Sequence, residues 1–151
     1  MAGSGKKIIV DAYAVIADLL GQVPSAAFER LEDLRKGRVT GVIHYLTIFE
    51  LAYHWRRGRL PFRDELELLD FVSTYFRIAP LTPELAIASA KIKVVGDKFL
   101  REAEDRSLTG RRLSVADATT IAIAQMWKAP IISGDRDLTY VARRMGIEVV
   151  W

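Results

Sequence analysis

The sequence contains no cysteine, and this absence excludes disulfides, thiolate zinc sites and cysteine nucleophiles. No apolar run approaches the roughly 20 residues that span a bilayer, and the first residues lack the apolar segment of a secretory signal. Neither sign of charge dominates, since 22 Lys and Arg residues face 19 Asp and Glu residues. We therefore expect a cytoplasmic protein without a membrane partner. We also expect residues 1–6 to be a disordered or cloning-derived tail.

The remaining residues alternate between strand-like and helix-like patterns. With 151 residues, the chain is most simply one domain, here residues 7–151. Short apolar runs predict strands at 7–11, 38–46, 77–81, 129–133 and 147–151. Apolar residues at helical spacing predict helices at 13–21, 25–36, 47–58, 61–76, 82–99, 114–127 and 137–146, with a loop at 105–113. This alternation predicts an α/β fold with a parallel sheet covered on both faces.

Four acidic residues stand where apolar runs give way to helical patterns. Asp11 ends the first run, Asp135 follows the fourth, and Glu50 and Asp117 occupy the opening turns of predicted helices. In open parallel sheets, ligands bind at the carboxyl ends of the strands, near the point where strand order reverses. We therefore expect the four carboxylates to converge at one edge, as an oxygen-rich site suited to Mg²⁺.

Each acid also has a purely structural interpretation. Thr47 with Glu50, and Ser114 with Asp117, fit the capping box of a helix N-terminus. Asp135 or Asp137 could begin the last helix, where aspartate is favoured. Asp11 is harder to explain in this way, because a carboxylate buried without a partner costs several kcal/mol. Only a metal site explains all four positions at once.

Other polar and aromatic residues are weaker candidates. Glu50 and His54 lie four residues apart, a spacing that can hold zinc or manganese. Only one such pair of residues is present, however, and the histidine of a single pair is more often solvated or hydrogen-bonded. His44 is expected to pack or lie at the surface. Arginine clusters could bind RNA or be solvated helix ends: Arg56, Arg57 and Arg59; Arg111 and Arg112; Arg143 and Arg144. Tyr13, Tyr53 and Trp55 could stack on bases or pack in the interior.

Four motifs, VDAYAVIA, TIFEL, LSVADATTIAIA and ISGDRDL, together resemble the PIN-domain ribonuclease family, and within it the VapC-type toxin branch. The resemblance implies a three-layer, Rossmann-like α/β/α sandwich with a mostly parallel sheet of about five strands. It also implies an acidic site, dependent on Mg²⁺ or Mn²⁺, that cleaves RNA. By position, Asp11, Glu50 and Asp117 match the three principal acids and Asp135 the fourth, with Asp137 as the alternative.

Of two further positions, Tyr13 departs from the pattern common in the family and Ser133 keeps it. Tyr13 stands where many members have serine or threonine two residues after the first acid. Ser133 takes the place of the threonine or serine shortly before the fourth acid, and is expected to be an accessory site residue. The helix N-termini at Glu50 and Asp117 are expected to keep both acids ionised, as metal binding requires.

The resemblance further implies a toxin of a type II toxin–antitoxin pair, a homodimer held inactive by a cognate antitoxin. The apolar face over 85–99 is a candidate partner surface or ordinary core. A housekeeping RNA-processing nuclease and a catalytically silent PIN-like scaffold stay open as alternatives. Dinucleotide and P-loop binding are disfavoured, because neither glycine motif is present.

Overall fold

The computed structural model describes residues 5–151, so residues 1–4 of the predicted N-terminal tail lie outside the described residues. Five strands form one parallel sheet in the order β3-β2-β1-β4-β5. They are β1 (Lys7–Val10), β2 (Thr40–His44), β3 (Phe76–Ala79), β4 (Ile131–Ile132) and β5 (Val149–Val150). The predicted parallel five-stranded sheet is thus confirmed.

Eight helices of the described chain cover this sheet. They are α1 (Ala12–Leu19), α2 (Ser25–Arg35), α3 (Tyr45–Arg56), α4 (Glu65–Tyr75), α5 (Pro83–Arg101), α6 (Arg106–Thr109), α7 (Val115–Trp127) and α8 (Arg136–Arg144). The side chains of a strand point alternately to opposite faces. Ile9 accordingly packs in a core with α5, α7 and α8, while Ile8 and Val10 pack in a second core with α1 to α4. The predicted three-layer α/β/α arrangement is confirmed.

Several element boundaries differ from the sequence prediction by a few residues. Helix α3 begins at Tyr45 rather than Thr47, because the His44 imidazole accepts the Leu46 N–H and caps the helix. The predicted capping box is therefore wrong, and Glu50 lies in the second turn. Helix α4 begins after the Asp64 cap rather than at residue 61. The predicted loop at 105–113 contains the short helix α6.

The apolar face predicted over 85–99 is largely core. Leu85, Ile92 and Leu100 are buried, and α5 packs along α7 and against α8. No helix within residues 5–151 combines the length and the apolar character that crossing a membrane would require.

The strand order creates a switch point between β1 and β4. From β1 the chain moves outward to β2 and β3, and it then returns to place β4 and β5 on the other side of β1. Such reversals leave a crevice at the carboxyl ends of the two central strands. The residues that follow β1 and β4, Asp11 and Ser133 to Asp135, therefore border the same crevice.

Candidate metal centre

The crevice is a cavity of about 550 Å³ lined by five acidic side chains. They come from separate parts of the sequence: Asp11, Glu50, Asp117, Asp135 and Asp137. Two arginines, Arg111 and Arg112, and His54 complete its charged lining. The structure thus brings together all four predicted acids and the alternative fourth.

Asp11 is the most buried of the four predicted acids, with 4% of its surface exposed. It caps α1, where its Oδ1 accepts the Ala14 N–H at 2.9 Å. Its Oδ2 accepts the Ser133 hydroxyl at 2.5 Å, and the Ser133 oxygen accepts the Asp135 N–H at 3.0 Å. Ser133 therefore joins the acid after β1 to the loop after β4, and it fixes the orientation of the Asp11 carboxylate.

Burial and mutual repulsion raise the pKa values of three of these acids. Burial raises the pKa of Asp11 to about 7, against the lowering effect of its hydrogen bonds from Ser133 and Ala14. Burial raises the pKa of Asp117 to about 8, and the charges of Asp135, Asp11 and Glu50 add to the rise. The pKa of Glu50 is also raised, by burial and then by Asp135.

These shifts contradict the expectation that helix N-termini would keep Glu50 and Asp117 ionised. In Glu50 the reason is partly positional, since it lies beyond the first turn of α3, where the helix dipole has faded. Asp117 does lie in the first turn of α7, yet desolvation outweighs the dipole. Without a bound cation, Asp11 and Asp117 therefore hold their protons more tightly than ordinary carboxyl groups do.

The acids differ in whether a positive charge balances them. Asp137 is buried and forms an ion pair with Arg111, whose Nε lies 3.0 Å from Oδ2. Glu50 and Asp117, by contrast, form no ion pair with any residue in 5–151. Asp135 caps α8 by accepting the Leu138 N–H at 2.9 Å through Oδ1. Four acids of the cavity thus lack the basic partner that Asp137 has.

The donor set is made of carboxylate oxygens, the ligands that Mg²⁺ and Mn²⁺ prefer. No three acidic or histidine side chains of the described chain lie close enough together to form a finished metal cage. Mg²⁺ usually keeps several waters and takes one or two carboxylates directly, so a looser ring of acids suits it. The residues present therefore fit a hydrated divalent cation.

The two histidines have different surroundings. His44 is fully buried, and its Nε2 lies 2.9 Å from the Thr120 hydroxyl oxygen while Nδ1 caps α3. Burial lowers the pKa of His44 to about 4. His54 lines the cavity one turn after Glu50, and its pKa is lowered by burial and by the charges of Arg59 and Arg57. His44 is therefore a packing residue, and only His54 borders the site.

Some of the predicted RNA-binding arginines line the cavity and others lie outside it. Arg111 and Arg112 line the cavity, although Arg111 is held by Asp137. Arg57 and Arg59 lie on the exposed end of α3 beside His54, where Arg57 donates to the Tyr53 hydroxyl. Arg56 lies over the Trp55 ring and pairs with Glu65, outside the cavity.

The aromatic candidates are also separated by the fold. Trp55 packs in the second core and donates its indole N–H to the Phe62 carbonyl oxygen at 2.7 Å. Tyr53 is half exposed and stacks on Phe49. Tyr13 lines the cavity and meets Trp151 edge to face, with ring centroids 5.4 Å apart. Sequence reasoning missed Trp151, because no local pattern indicates a contact between opposite ends of the chain.

Comparisons with known proteins agree with this architecture. No curated protein matches the sequence. The fold is similar to the crystal structure of PAE2754 from Pyrobaculum aerophilum, with 18% identity, a TM-score of 0.60, and coverage of 96% of this chain and 91% of that one. It is similar to VapBC2 from Rickettsia felis, solved bound to a DNA fragment from the promoter, with 13% identity, a TM-score of 0.60 and coverage of 95% and 96%. It is also similar to FitAcB from Neisseria gonorrhoeae, with 18% identity, a TM-score of 0.57 and coverage of 94% and 95%.

The sequence itself matches the family model described as PIN domain over residues 8–144. That range contains β4, all of β1 except Lys7, and the five acids that line the cavity. The protein therefore belongs to the PIN domain family, as its motifs indicated.

Proposed function

We propose that the protein is a metal-dependent endoribonuclease that hydrolyses phosphodiester bonds in RNA. Members of the PIN family are typically nucleases. The observation that carries the proposal is the convergence of Asp11, Glu50, Asp117 and Asp135 on one cavity, where none of them has an ion-pair partner within residues 5–151. Burial raises the pKa of Asp11 to about 7 and that of Asp117 to about 8, as expected for acids without a bound cation. A divalent cation would stabilise the ionised carboxylates, and binding would release their protons.

Asp11, Glu50, Asp117 and Asp135 would hold the ion. Asp135 is the better fourth ligand, because the Asp137 carboxylate is already paired with Arg111. The structural interpretation of Asp135 as a helix cap does not compete with this role, since the cap uses only Oδ1. Asp137 would instead orient Arg111 at the rim of the cavity.

When bound, Mg²⁺ or Mn²⁺ supplies a Lewis acid that activates water and stabilises the charge developing on the phosphate. The residues of the chain itself contribute by orienting the ligands and the substrate. Ala14 and Ser133 fix both oxygens of Asp11, so that this carboxylate has one orientation. Arg111 and Arg112 at the cavity wall provide positive charge for the non-bridging oxygens of the substrate.

We further propose that the nuclease is the toxin of a type II toxin–antitoxin pair, with a homodimeric toxin and a cognate antitoxin. Support comes from the fold-level likeness to VapBC2 and FitAcB, and from the motifs of the VapC-type branch. A basic side chain of the antitoxin entering the acidic cavity would neutralise the same carboxylates that the cation neutralises. This contact would explain inhibition without any rearrangement of the fold.

The nuclease proposal is tested by cleavage of end-labelled RNA with Mn²⁺, with Mg²⁺ and with EDTA. Wild type should cleave only with metal, and Asp11→Asn should be inactive. Asp64→Asn is the matched control, because Asp64 also caps a helix with Oδ1 but is exposed. Metal-independent cleavage, or full activity of Asp11→Asn, would refute the mechanism.

Two further measurements separate the alternatives. A silent scaffold would show neither cleavage nor an Asp11-dependent rise in melting temperature with Mn²⁺. A toxin should arrest growth when induced and be relieved by its antitoxin, whereas a processing nuclease should not. Sequencing of RNA ends after induction would identify the target.

A further inference from the structure

A second cavity of about 640 Å³ lies on the other side of the loop after β4. We call it the arginine groove and define it by the residues Gly134, Arg136, Thr139, Arg143, Arg144 and Trp151. Its charge is opposite to that of the metal centre, since three arginines line it with a single acid, Asp105. Arg143 and Arg144 are one of the clusters that the sequence offered as RNA-binding candidates, whereas Arg136 was not among them.

The positive charge of the groove is only partly compensated. Arg136 pairs with Asp105 at 2.6 Å and also donates to the Ser107 hydroxyl oxygen. Arg143 and Arg144 form no ion pair with any residue that the structure describes. Their guanidinium groups are nevertheless held, because Arg143 donates to the Val149 carbonyl oxygen at 3.2 Å and Arg144 lies 4.8 Å from the Phe99 ring centroid. The groove therefore presents two oriented positive charges on α8.

The groove and the metal centre share a wall. Ser133 lines the groove, and its hydroxyl is bonded to Asp11 in the acidic cavity. Gly134 follows in the same wall, and a β carbon there would lie 2.4 Å from the Trp151 ring and 2.6 Å from Tyr13. Only glycine therefore fits between the two rings, which meet edge to face beside the boundary of the two cavities.

From this geometry we infer that the arginine groove binds the backbone phosphates of single-stranded RNA on one side of the scissile bond, with Tyr13 and Trp151 stacking on a base where the strand crosses the wall. The inference rests on the proposed nuclease function and extends it. A positive groove beside exposed aromatic rings is the usual means of holding a single strand without reading its sequence. Arg143 and Arg144 would act as substrate-binding residues, while the acids carry the chemistry.

The aromatic pair between the two cavities favours RNA over an acidic protein segment. Tyr13 and Trp151 can stack on a base, whereas they offer no partner to the carboxylates of an acidic peptide. Where the strand reaches Asp11, Glu50 and Asp117, its phosphates would share the divalent cation that these acids hold under the proposed function. A strand that spans both cavities is therefore compatible with the whole charge pattern.

The inference predicts the salt dependence of RNA binding. Each phosphate contact made by a single strand contributes about 0.7 to the slope of log K against log salt concentration. Arg143→Gln with Arg144→Gln should therefore reduce the slope by about 1.4 in fluorescence anisotropy with a labelled RNA of roughly 12 nucleotides in EDTA. With Mn²⁺, the same variant should raise KM and leave kcat within about twofold, because a contact made equally in ground and transition states changes only binding.

The matched control is Lys36→Gln with Arg38→Gln. It removes the same charge from exposed residues between α2 and β2, at the edge of the sheet opposite the strand carboxyl ends. It should change neither the salt slope nor KM. Arg143→Lys with Arg144→Lys should keep the slope, because both charges remain. An unchanged slope in the glutamine variant, or an equal change in the control, would overturn the groove assignment.

A further variant and a competing polyanion complete the test of the groove. If the glutamine variant has a lower melting temperature than wild type, Thr139→Glu offers a second test. This substitution places a negative charge in the groove without removing either arginine contact, and it should weaken RNA binding. Polyglutamate that binds as tightly as RNA through the same arginines would overturn the assignment in favour of a protein partner. Wild-type cleavage with an unchanged slope rejects the groove alone, whereas a reduced slope without wild-type cleavage rejects the nuclease function and leaves the groove as a nucleic-acid site.

Discussion

The substitution Asp11→Asn should stabilise the metal-free protein at pH 8 while abolishing its metal response. Asp11 is 4% exposed, and its pKa rises from 3.8 to about 7 on folding. The folded state therefore holds this proton more tightly than the unfolded chain does. The resulting stability is complete below pH 3.8 and is lost as the pH rises through 7.

The magnitude follows from the pKa. A rise from 3.8 to about 7 corresponds to roughly 4 kcal/mol of unfolding free energy lost between pH 4 and pH 8. Asparagine carries no charge to desolvate and is as good a helix cap as aspartate, so the Ala14 contact should persist. The charged hydrogen bond from Ser133 is lost, at a cost of about 1.5–3 kcal/mol. The net gain at pH 8 should be about 1–2 kcal/mol.

Thermal melting in EDTA measures this gain. For a chain of this size, about 1–2 kcal/mol corresponds to roughly 2–8 °C. At pH 5 wild-type Asp11 is mostly protonated, so the gain should disappear or reverse. His44, whose pKa is lowered to about 4, also affects stability at pH 5, but it does so equally in both proteins and cancels in the difference.

Saturating Mn²⁺ should reverse the order of stability of wild type and Asp11→Asn. At 100 times its dissociation constant, a cation that binds only the folded state adds about 2.7 kcal/mol. Wild type should gain this stability and Asp11→Asn should not, while Asp64→Asn should match wild type throughout. An Asp11→Asn protein that melts no higher than wild type at pH 8 in EDTA would refute the idea that uncompensated burial of this carboxylate destabilises the metal-free fold.

Other predictions concern the residues around Asp11. Ser133→Ala removes a hydrogen bond that lowers the pKa of Asp11, so the acidic limb of the pH–rate profile should move to higher pH. Asp135→Asn should weaken Mn²⁺ binding in calorimetry by roughly tenfold or more. Asp137→Asn should lose only its ion pair with the exposed Arg111 and should bind Mn²⁺ nearly as tightly as wild type, so that equal loss of binding in both variants would contradict the choice of Asp135. The folded pKa of His44 is about 4 against 6.5 unfolded, so stability should be full above pH 6.5 and fall by roughly 3 kcal/mol towards pH 4. Urea unfolding of His44→Asn should show a flatter profile over this range. Mn²⁺ affinity should rise between pH 6 and 8 with release of protons, seen as buffer-dependent heats; no buffer dependence would mean that the acids bind metal without deprotonating.

Much of the fold could be predicted because local patterns carry it. The β-branched runs, the helical spacing of apolar residues and the Thr82–Pro83 helix start gave most elements and the three layers. The start of α3 was predicted two residues late because an unusual local cap sets it. Helix α3 begins at Tyr45 because a histidine side chain caps it, and histidine is not among the usual capping residues.

The candidate site, like the fold, could be predicted from the sequence only in part. The sequence by itself determined that Asp11 and Asp135 follow strands and that Asp117 opens a helix, since those positions follow from periodicity and chain order, whereas it placed Glu50 too close to the start of α3. Only the tertiary structure decided that Arg111 neutralises Asp137, that Ser133 fixes Asp11, and that desolvation overrides the helix dipole at Asp117. It also decided that Arg143 and Arg144 share a groove with Trp151 beside the acids. The physical reason is that burial and electrostatic pairing depend on distances through space, which a parallel sheet with a switch point sets between residues far apart in the chain.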